Sequence, residues 1–306
     1  MTPVDVVIPT RDTRELVLAC LDSLGTRDGD VEIRSIVVDN ASRDGTAEAI
    51  AAQHPGVRVL CNEHDPGYGA SSNAGARLGS APYVLILNSD IAARPGAVAR
   101  LVAFLEAHPD HVAAGGRLLD AGSERTQVGF TVRALPTLRT QVALVCGLER
   151  YWPRNPVSRR QLMLDFDYER TQDAEQPAGA CLLVRRDAFE RLGGFDERFH
   201  YWFEDVDLCR RLWGRGRVAY VHDARFEHVG GASFARWPRP RAIVTRHASL
   251  LRYFAKHHPR REQRALRLVV ALLALARASA WLPLDRARAR AYGEVLQMAV
   301  NSPHRK

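Results

Sequence analysis

Hydrophobic and polar positions alternate in blocks through the first hundred residues. The runs Val4–Ile8, Ile33–Val38, Val57–Cys61 and Tyr83–Leu87 are short and largely apolar, as strands buried on both faces are. Between them apolar residues recur at helical spacing over Glu15–Leu24, Thr46–Ala52 and Ala70–Leu78. A further helix is predicted at Ala97–Glu106, with Pro95 near its first turn. This order predicts an α/β fold, a mostly parallel sheet covered by helices and wound with right-handed crossovers. Ligands of such sheets bind just beyond the carboxyl ends of the strands. Polar residues collect there: Thr10-Arg11-Asp12, Asp39-Asn40-Ala41-Ser42, Asn62, and Asn88-Ser89-Asp90. One such cluster would be a helix cap, but four on one rim predict a binding crevice.

After Gly115 the pattern weakens. Residues 127–173 carry isolated aromatics, prolines and arginines, which predicts a loop-rich region with short strands and helices, suited to a variable acceptor pocket. Order returns with a strand at Ala180–Val184, a short helix at Asp187–Leu192 and a strand at Val218–Val221. The C-terminal part reads as three helices, Ala242 to about Lys256, Gln263–Trp281 and Arg286–Met298, broken at Pro259 and Pro283. The middle one sets a long apolar stretch beside Arg264, Arg267 and Arg277. It could pack on the domain, pair with a second subunit, or lie on an anionic membrane.

The 306 residues carry a net charge of +8, almost all of it arginine, since the only lysines are Lys256 and Lys306. That balance suits phosphate-bearing ligands, nucleic acid or an anionic membrane. Nucleic acid is not the expected partner, because the arginines are spread and no helix-turn-helix, zinc-finger or aromatic RNA platform is visible. The five cysteines are scattered without a CxxC pair, which predicts core residues in a reducing compartment. "MTPVDVVIPT" runs straight into a strand, so no signal peptide is expected. The longest apolar run, Leu268–Ala276, is far short of the roughly 20 residues that cross a bilayer. A cytoplasmic protein is expected, working from the cytosolic side and able to sit at the inner face of the plasma membrane.

Three clusters carry candidate chemistry. Asp90, at a strand end, suits either a divalent cation that bridges phosphates or a helix cap. In "YWFEDVDLCRRLWGRG", Glu204, Asp205 and Asp207 open a helix after three aromatics. Three acids within four residues exceed what capping needs, and suit a general base acting on a hydroxyl nucleophile. Their closeness can also raise one pKa. In "RFEHVGGAS", His228 precedes two glycines; a lone histidine is usually structural, and only the company of Asp90 and the acids favours a metal role.

Taken together, "VVIPTRD", "IVVDNASRDGT", "NEHDPGYGASSNAGARLGSAPYVLILNSD", "GACLLVRRDAFERLGGFDERFHYWFEDVDLCRRLWGRG" and "HVGGAS" resemble glycosyltransferase family 2, above all its bacterial rhamnosyltransferase-like members. The likeness runs from about Val4 to Ser233 in matching order, and "RYFAKHH", Arg252–His258, is similar to that subgroup's tail motif. The resemblance implies a GT-A fold with a C-terminal helical extension. Residues 1–240 would be the transferase domain, with 1–115 binding the nucleotide-sugar and 116–240 the acceptor, and 241–306 the extension. It further implies an inverting, Mg²⁺- or Mn²⁺-dependent enzyme. Asp39 would contact the nucleobase, with Thr10 and Arg11 in the same pocket. Asn62, Gly67, Tyr68 and Asn73 would line the nucleotide site. "NSD", Asn88-Ser89-Asp90, matches the family's DxD motif with asparagine in first place, so Asp90 is the residue carried over as metal ligand and His228 as a further one. Asp205 would be the catalytic base, with Glu204 as acceptor-side partner or alternative base. Gly179 would permit close approach near the acceptor, and Trp202, beside the acids, could touch it.

The leading expectation is transfer of a deoxysugar, rhamnose from dTDP-rhamnose first, to a glycan or lipid-linked glycan in cell-wall or polysaccharide synthesis. A hexosyltransferase using a UDP- or GDP-sugar on a small natural product is the same-fold alternative. A non-catalytic nucleotide- or glycan-binding protein is the third. The C-terminal helices leave peripheral membrane contact or a homodimer open.

Overall fold

The computed structural model describes residues 1–230 and 237–301. The described chain forms two compact units: Met1–Leu135, Leu162–Arg198 and Glu204 to 230; and Pro136–Gln161, Phe199–Phe203 and 237–301.

The first unit is built on strands β1 (Thr2–Thr10), β2 (Val31–Asn40), β3 (Arg58–Asn62), β4 (Tyr83–Leu87), β5 (Ile91–Ala93), β6 (His111–Asp120), β7 (Cys181–Arg185) and β8 (Arg217–His228). Helices α1 (Arg14–Leu24), α2 (Thr46–Gln53), α3 (Tyr68–Leu78) and α4 (Ala97–Ala107) link the early strands, as their spacing predicts. The strands lie in the order β3-β2-β1-β4-β7-β6-β8-β5. β3, β2, β1 and β4 are parallel, and Thr10 pairs with Asp39, and Asn40 with Asn62. The four polar strand ends therefore stand on one rim.

Alternation of side chains along each strand feeds two cores. Val4, Val6, Ile8, Leu85 and Leu87 pack on one face with Val17 and Leu21 of α1 and Val98 and Leu101 of α4. Val7, Val84 and Ile86 pack on the other with Ala76, Phe189, Leu208 and Leu212. Both faces are covered, which is why these runs are apolar throughout.

Beyond β4 the sheet departs from the simple parallel reading. β7 runs antiparallel between β4 and β6, pairing Cys181 with Leu87 and Leu183 with Ala114. Its amino end, Gly179–Ala180, thereby arrives at the carboxyl-end rim, where Asn88 N–H donates to the Ala180 carbonyl (2.9 Å). β6 was not expected, because "AAGG" breaks its pattern. The glycines are there for space: a Cβ on Gly115 would lie 2.4 Å from Pro177, and one on Gly116 would lie 2.5 Å from Phe226. β8 extends past the expected Val221; a register shift between Val221 and Arg225 bends it, and its far end pairs His228 with Ile91 and Asp120. The cysteines divide: Cys20, Cys181 and Cys209 are buried as expected, whereas Cys61 and Cys146 are exposed.

The second unit contains the three expected C-terminal helices, Arg239–His257, Arg260–Trp281 and Arg286–Val300, and a helix at Leu138–Val145. Within it the "RYFAKHH" stretch holds the segment Phe199–Phe203. Tyr253 and Phe254 are buried, the Phe203 ring meets Tyr253 at 5.5 Å, and Ser249 Oγ donates to the Tyr201 carbonyl (2.8 Å). Among the described residues no helix is long and apolar enough to cross a membrane.

Candidate active site

The rim over β1–β3 is a hydrogen-bonded floor. Thr10, Thr13 and Ser89 share a buried chain of hydroxyls, at 2.7 Å and 3.0 Å. Asp39 is buried; its Oδ1 accepts from Ser42 N–H (2.9 Å), which leaves Oδ2 for another donor. Asn40 Oδ1 accepts from both Asn62 Nδ2 and Ser71 Oγ, each at 2.8 Å, so Asn40 orients Asn62. Arg11 Nη1 donates to Asp65 Oδ2 (2.7 Å), and Asp65 Oδ1 accepts from Gly67 N–H (3.0 Å). Gly67, at φ +97°, turns the chain into α3.

Asp90 and His228 converge beside this floor, both buried, with Nε2 of the histidine 3.5 Å from Oδ1 of the aspartate. Gln127 decides the histidine's tautomer. Its amide nitrogen donates to the His228 backbone carbonyl (2.8 Å), so its Oε1, 2.8 Å from Nδ1, must accept the Nδ1 proton. Phe130 stacks on the ring at 4.9 Å. In the neutral ring the buried Nε2 is then a lone pair, without a hydrogen-bond partner among the described residues and aimed at a carboxylate. Two acceptors meeting in a buried place suit a cation between them. Burial pushes the Asp90 carboxyl up, but the His228 ring and the backbone N–H groups of Asp90 and Gly230 outweigh it and hold the carboxyl below its ordinary range. Among the described residues no group of three or more His, Cys, Asp or Glu side chains could hold a metal. Two protein ligands with phosphate oxygens completing the shell would be a normal arrangement for Mg²⁺ or Mn²⁺.

The acidic cluster opens the helix Glu204–Leu212. Asp205 Oδ2 accepts from Gln176 Nε2 (3.0 Å) and from Gly179 N–H (3.2 Å), while Oδ1 accepts from Val206 N–H (2.8 Å). Gly179 fits there only because it lacks a side chain: a Cβ would lie 2.4 Å from the Asp205 Cβ. Its carbonyl accepts from Tyr68 OH (3.0 Å), so Tyr68 reaches the same spot from α3. Glu204 is different in kind. It is 8% exposed and its Oε2 has no hydrogen-bond partner among the described residues; burial, with the Asp205 charge adding to it, pushes its carboxyl well above the ordinary range. Burial likewise raises the Tyr68 phenol.

Of the residues singled out in the sequence, Thr10, Arg11, Asp39, Asn62, Gly67 and Ser89 stand on the floor. Asn88 lies at the end of β4, and Asp90 and His228 form a pair. Tyr68, Gly179 and Asp205 are joined by hydrogen bonds. Asn73 faces elsewhere: it accepts from Phe195 N–H and donates to the Phe195 carbonyl and Glu197, bracing the 195–197 turn. Trp202 belongs to the second unit, where its ring meets Trp237 edge-on at 5.7 Å. The Gly231–Ser233 part of the "HVGGAS" motif lies outside the described residues. Asn40 belongs to the rim cluster expected from the sequence without a role of its own there; Asp65 sits inside a quoted motif, whereas Gln127 and Gln176 carry no signal in the sequence. A cavity of about 710 Å³ lies away from all these groups, at the amino ends of the strands, with Asp5, Arg34, His54 and Arg58 among its walls.

A mixed, mostly parallel sheet with its polar rim at the carboxyl ends is a GT-A fold, and solved structures of that fold superpose on the chain. TarS residues 1–349 from S. aureus match with a TM-score of 0.54 at 14% identity, over 97% of this chain and 90% of that one. The mannosyltransferase of Pyrobaculum calidifontis, solved with GDP-Man and Mn²⁺, matches with a TM-score of 0.52 at 20% identity, over 98% and 76%. Residues 5–193 match the profile described as glycosyl transferase family 2, and the chain belongs to that family. Within it the chain is similar to N-acetylglucosaminyl-diphospho-decaprenol L-rhamnosyltransferase of Mycobacterium tuberculosis, 32% identical over 240 residues, which cover 73% of this chain and 75% of the relative. The family, the fold and the rhamnosyltransferase-like character expected from the sequence are thereby borne out.

Proposed function

We propose that the protein is an inverting glycosyltransferase that moves a sugar from a nucleoside diphosphate to a hydroxyl of a lipid-linked glycan, with rhamnose from dTDP-rhamnose the first candidate. The observation that carries the reading is the Asp205 carboxylate, held by Gln176 and Gly179 on the rim that also presents the Asp90–His228 pair. The choice of sugar and acceptor class rests on the name of the mycobacterial relative. Residues 1–240 form the transferase domain on this reading, and a nucleotide-sugar donor puts the work on the cytosolic side.

The free Oδ2 of Asp39 accepts from the base, and the Thr10–Arg11 turn, fixed by Asp65, closes the pocket beside it. A divalent cation held by Asp90 and His228 would supply positive charge to the departing diphosphate; the Mn²⁺ of the Pyrobaculum enzyme suits that choice. Asp205 takes the proton of the acceptor hydroxyl. As it does so the hydroxyl oxygen bonds to the anomeric carbon, and the bond from that carbon to the diphosphate oxygen breaks on the opposite face. One displacement inverts the centre and needs no enzyme nucleophile. Glu204, its carboxyl raised well above the ordinary range by burial, stands on the acceptor side and is not the base.

A screen of dTDP-, UDP- and GDP-sugars by thermal shift and donor hydrolysis, with and without Mn²⁺, tests the reading. Stabilisation by one of them that is lost in Asp90→Ala supports it; no binding of any sinks it. Gln127→Leu should weaken Mn²⁺ binding in the presence of the nucleoside diphosphate by about 10–100-fold. Electron paramagnetic resonance of free Mn²⁺ measures this, and unchanged affinity contradicts the assigned tautomer.

Glu204 also makes a stability prediction. Its carboxyl is raised in the folded chain, so its contribution is full below the ordinary carboxylate range and is lost as pH rises through the folded value. Glu204→Gln should therefore gain denaturant midpoint relative to the wild type between pH 5 and pH 8. An equal difference at both pH values removes the assignment.

A further inference from the structure

Outside the transferase site, the helix Arg260–Trp281 presents a face left exposed among the described residues. Leu268, Leu272 and Leu275 are 61%, 59% and 52% exposed, while Leu266, Val270 and Ala274 on the opposite stripe are buried. Spacings of four and three residues set the exposed leucines on one line, and exposed Arg261 and Arg264 continue that line toward the helix start. Past its end come Leu282 and Leu284, 62% and 76% exposed, and then exposed Arg286 and Arg290. None of these four arginines has a carboxylate partner among the described residues. The apolar line is thus bracketed by free cations at both ends.

Charge says what covers it. Residues 239–301 hold thirteen Lys and Arg against Glu262, Asp285 and Glu294, a net of +10, which exceeds the +8 of the whole chain. We infer that this face docks on the surface of an anionic phospholipid bilayer, with the leucines in the acyl boundary and the arginines among the headgroups. A second copy of the chain would set the same arginines against each other, which argues against self-association through this face. No described helix can span a bilayer, so the helix lies in the interface. The inference is independent of the transferase reading, because it is tested without donor or acceptor.

The test is flotation of the full chain with vesicles of phosphatidylcholine alone, or with about a third phosphatidylglycerol. The wild type should float with the anionic vesicles only. The pair Arg261→Gln and Arg264→Gln should cut partitioning about thirtyfold, at roughly 1 kcal/mol for each arginine. The triple Leu268→Gln, Leu272→Gln, Leu275→Gln should cut it at least about tenfold, with the circular dichroism and melting midpoint of the wild type. Wild-type protein that ignores anionic vesicles overturns the inference. So does binding unaffected by either variant, or a wild-type dimer that the leucine triple turns into a monomer while vesicles bind neither.

Discussion

Asp205→Asn should lower kcat by about 10²–10⁴-fold while nucleotide-sugar affinity stays within a few-fold, the loss expected when a general base is removed without its volume. Asparagine can still accept from Gln176 and Gly179 through its oxygen, so the fold and the donor floor survive and only the proton acceptor goes. Glu204→Gln is the control. Glu204 is not the assigned base, so the turnover of its amide variant should stay within about tenfold of the wild type. Single-turnover rates with saturating donor separate the two. If Glu204→Gln is the crippled variant and Asp205→Asn is active, the roles are reversed.

Gly179→Ala should be nearly as damaging, although it adds one methyl and no charge. That methyl would sit 2.4 Å from the Asp205 Cβ and 3.2 Å from its Oδ2. Neither neighbour can yield freely, because Gly179 is tied to Asp205 through its N–H and to Tyr68 through its carbonyl. The carboxylate must move, and displacement of a reacting group by about 1 Å costs on the order of 10²-fold in rate. Overpacking adds about 1–3 kcal/mol of destabilisation. A lowered kcat with nucleotide affinity intact is the expected signature; wild-type turnover would mean that Asp205 is not held where the chemistry occurs.

The parallel half of the sheet was legible because burial on both faces leaves continuous apolar runs, and because Thr10, Asp39, Asn62 and Asp90 end those runs abruptly. β7 was found as a strand but not as an antiparallel one, since direction leaves no trace in an apolar pattern. β6 was missed because Gly115 and Gly116 answer to close neighbours across the sheet, which a local window does not contain. Gln127 lies in the unpatterned 127–173 stretch, and its importance comes from meeting His228, 101 residues away. Asn73 shows the opposite failure: it belongs to a recognisable motif, yet every polar atom of its side chain serves the 195–197 turn. Glu204 and Asp205 are adjacent acids that sequence alone does not rank. Burial separates them, raising the Glu204 carboxyl while Asp205 is met by three N–H donors.

The most direct test of the account is the anomeric configuration of the product. The full chain is supplied with Mn²⁺, dTDP-rhamnose and a lipid-linked N-acetylglucosamine diphosphate acceptor, and the new glycosidic bond is assigned by nuclear magnetic resonance. A product whose anomeric centre is opposite to that of the donor, absent with Asp205→Asn, is the expected result. A product of retained configuration could not come from one in-line displacement at the anomeric carbon, and would contradict the account.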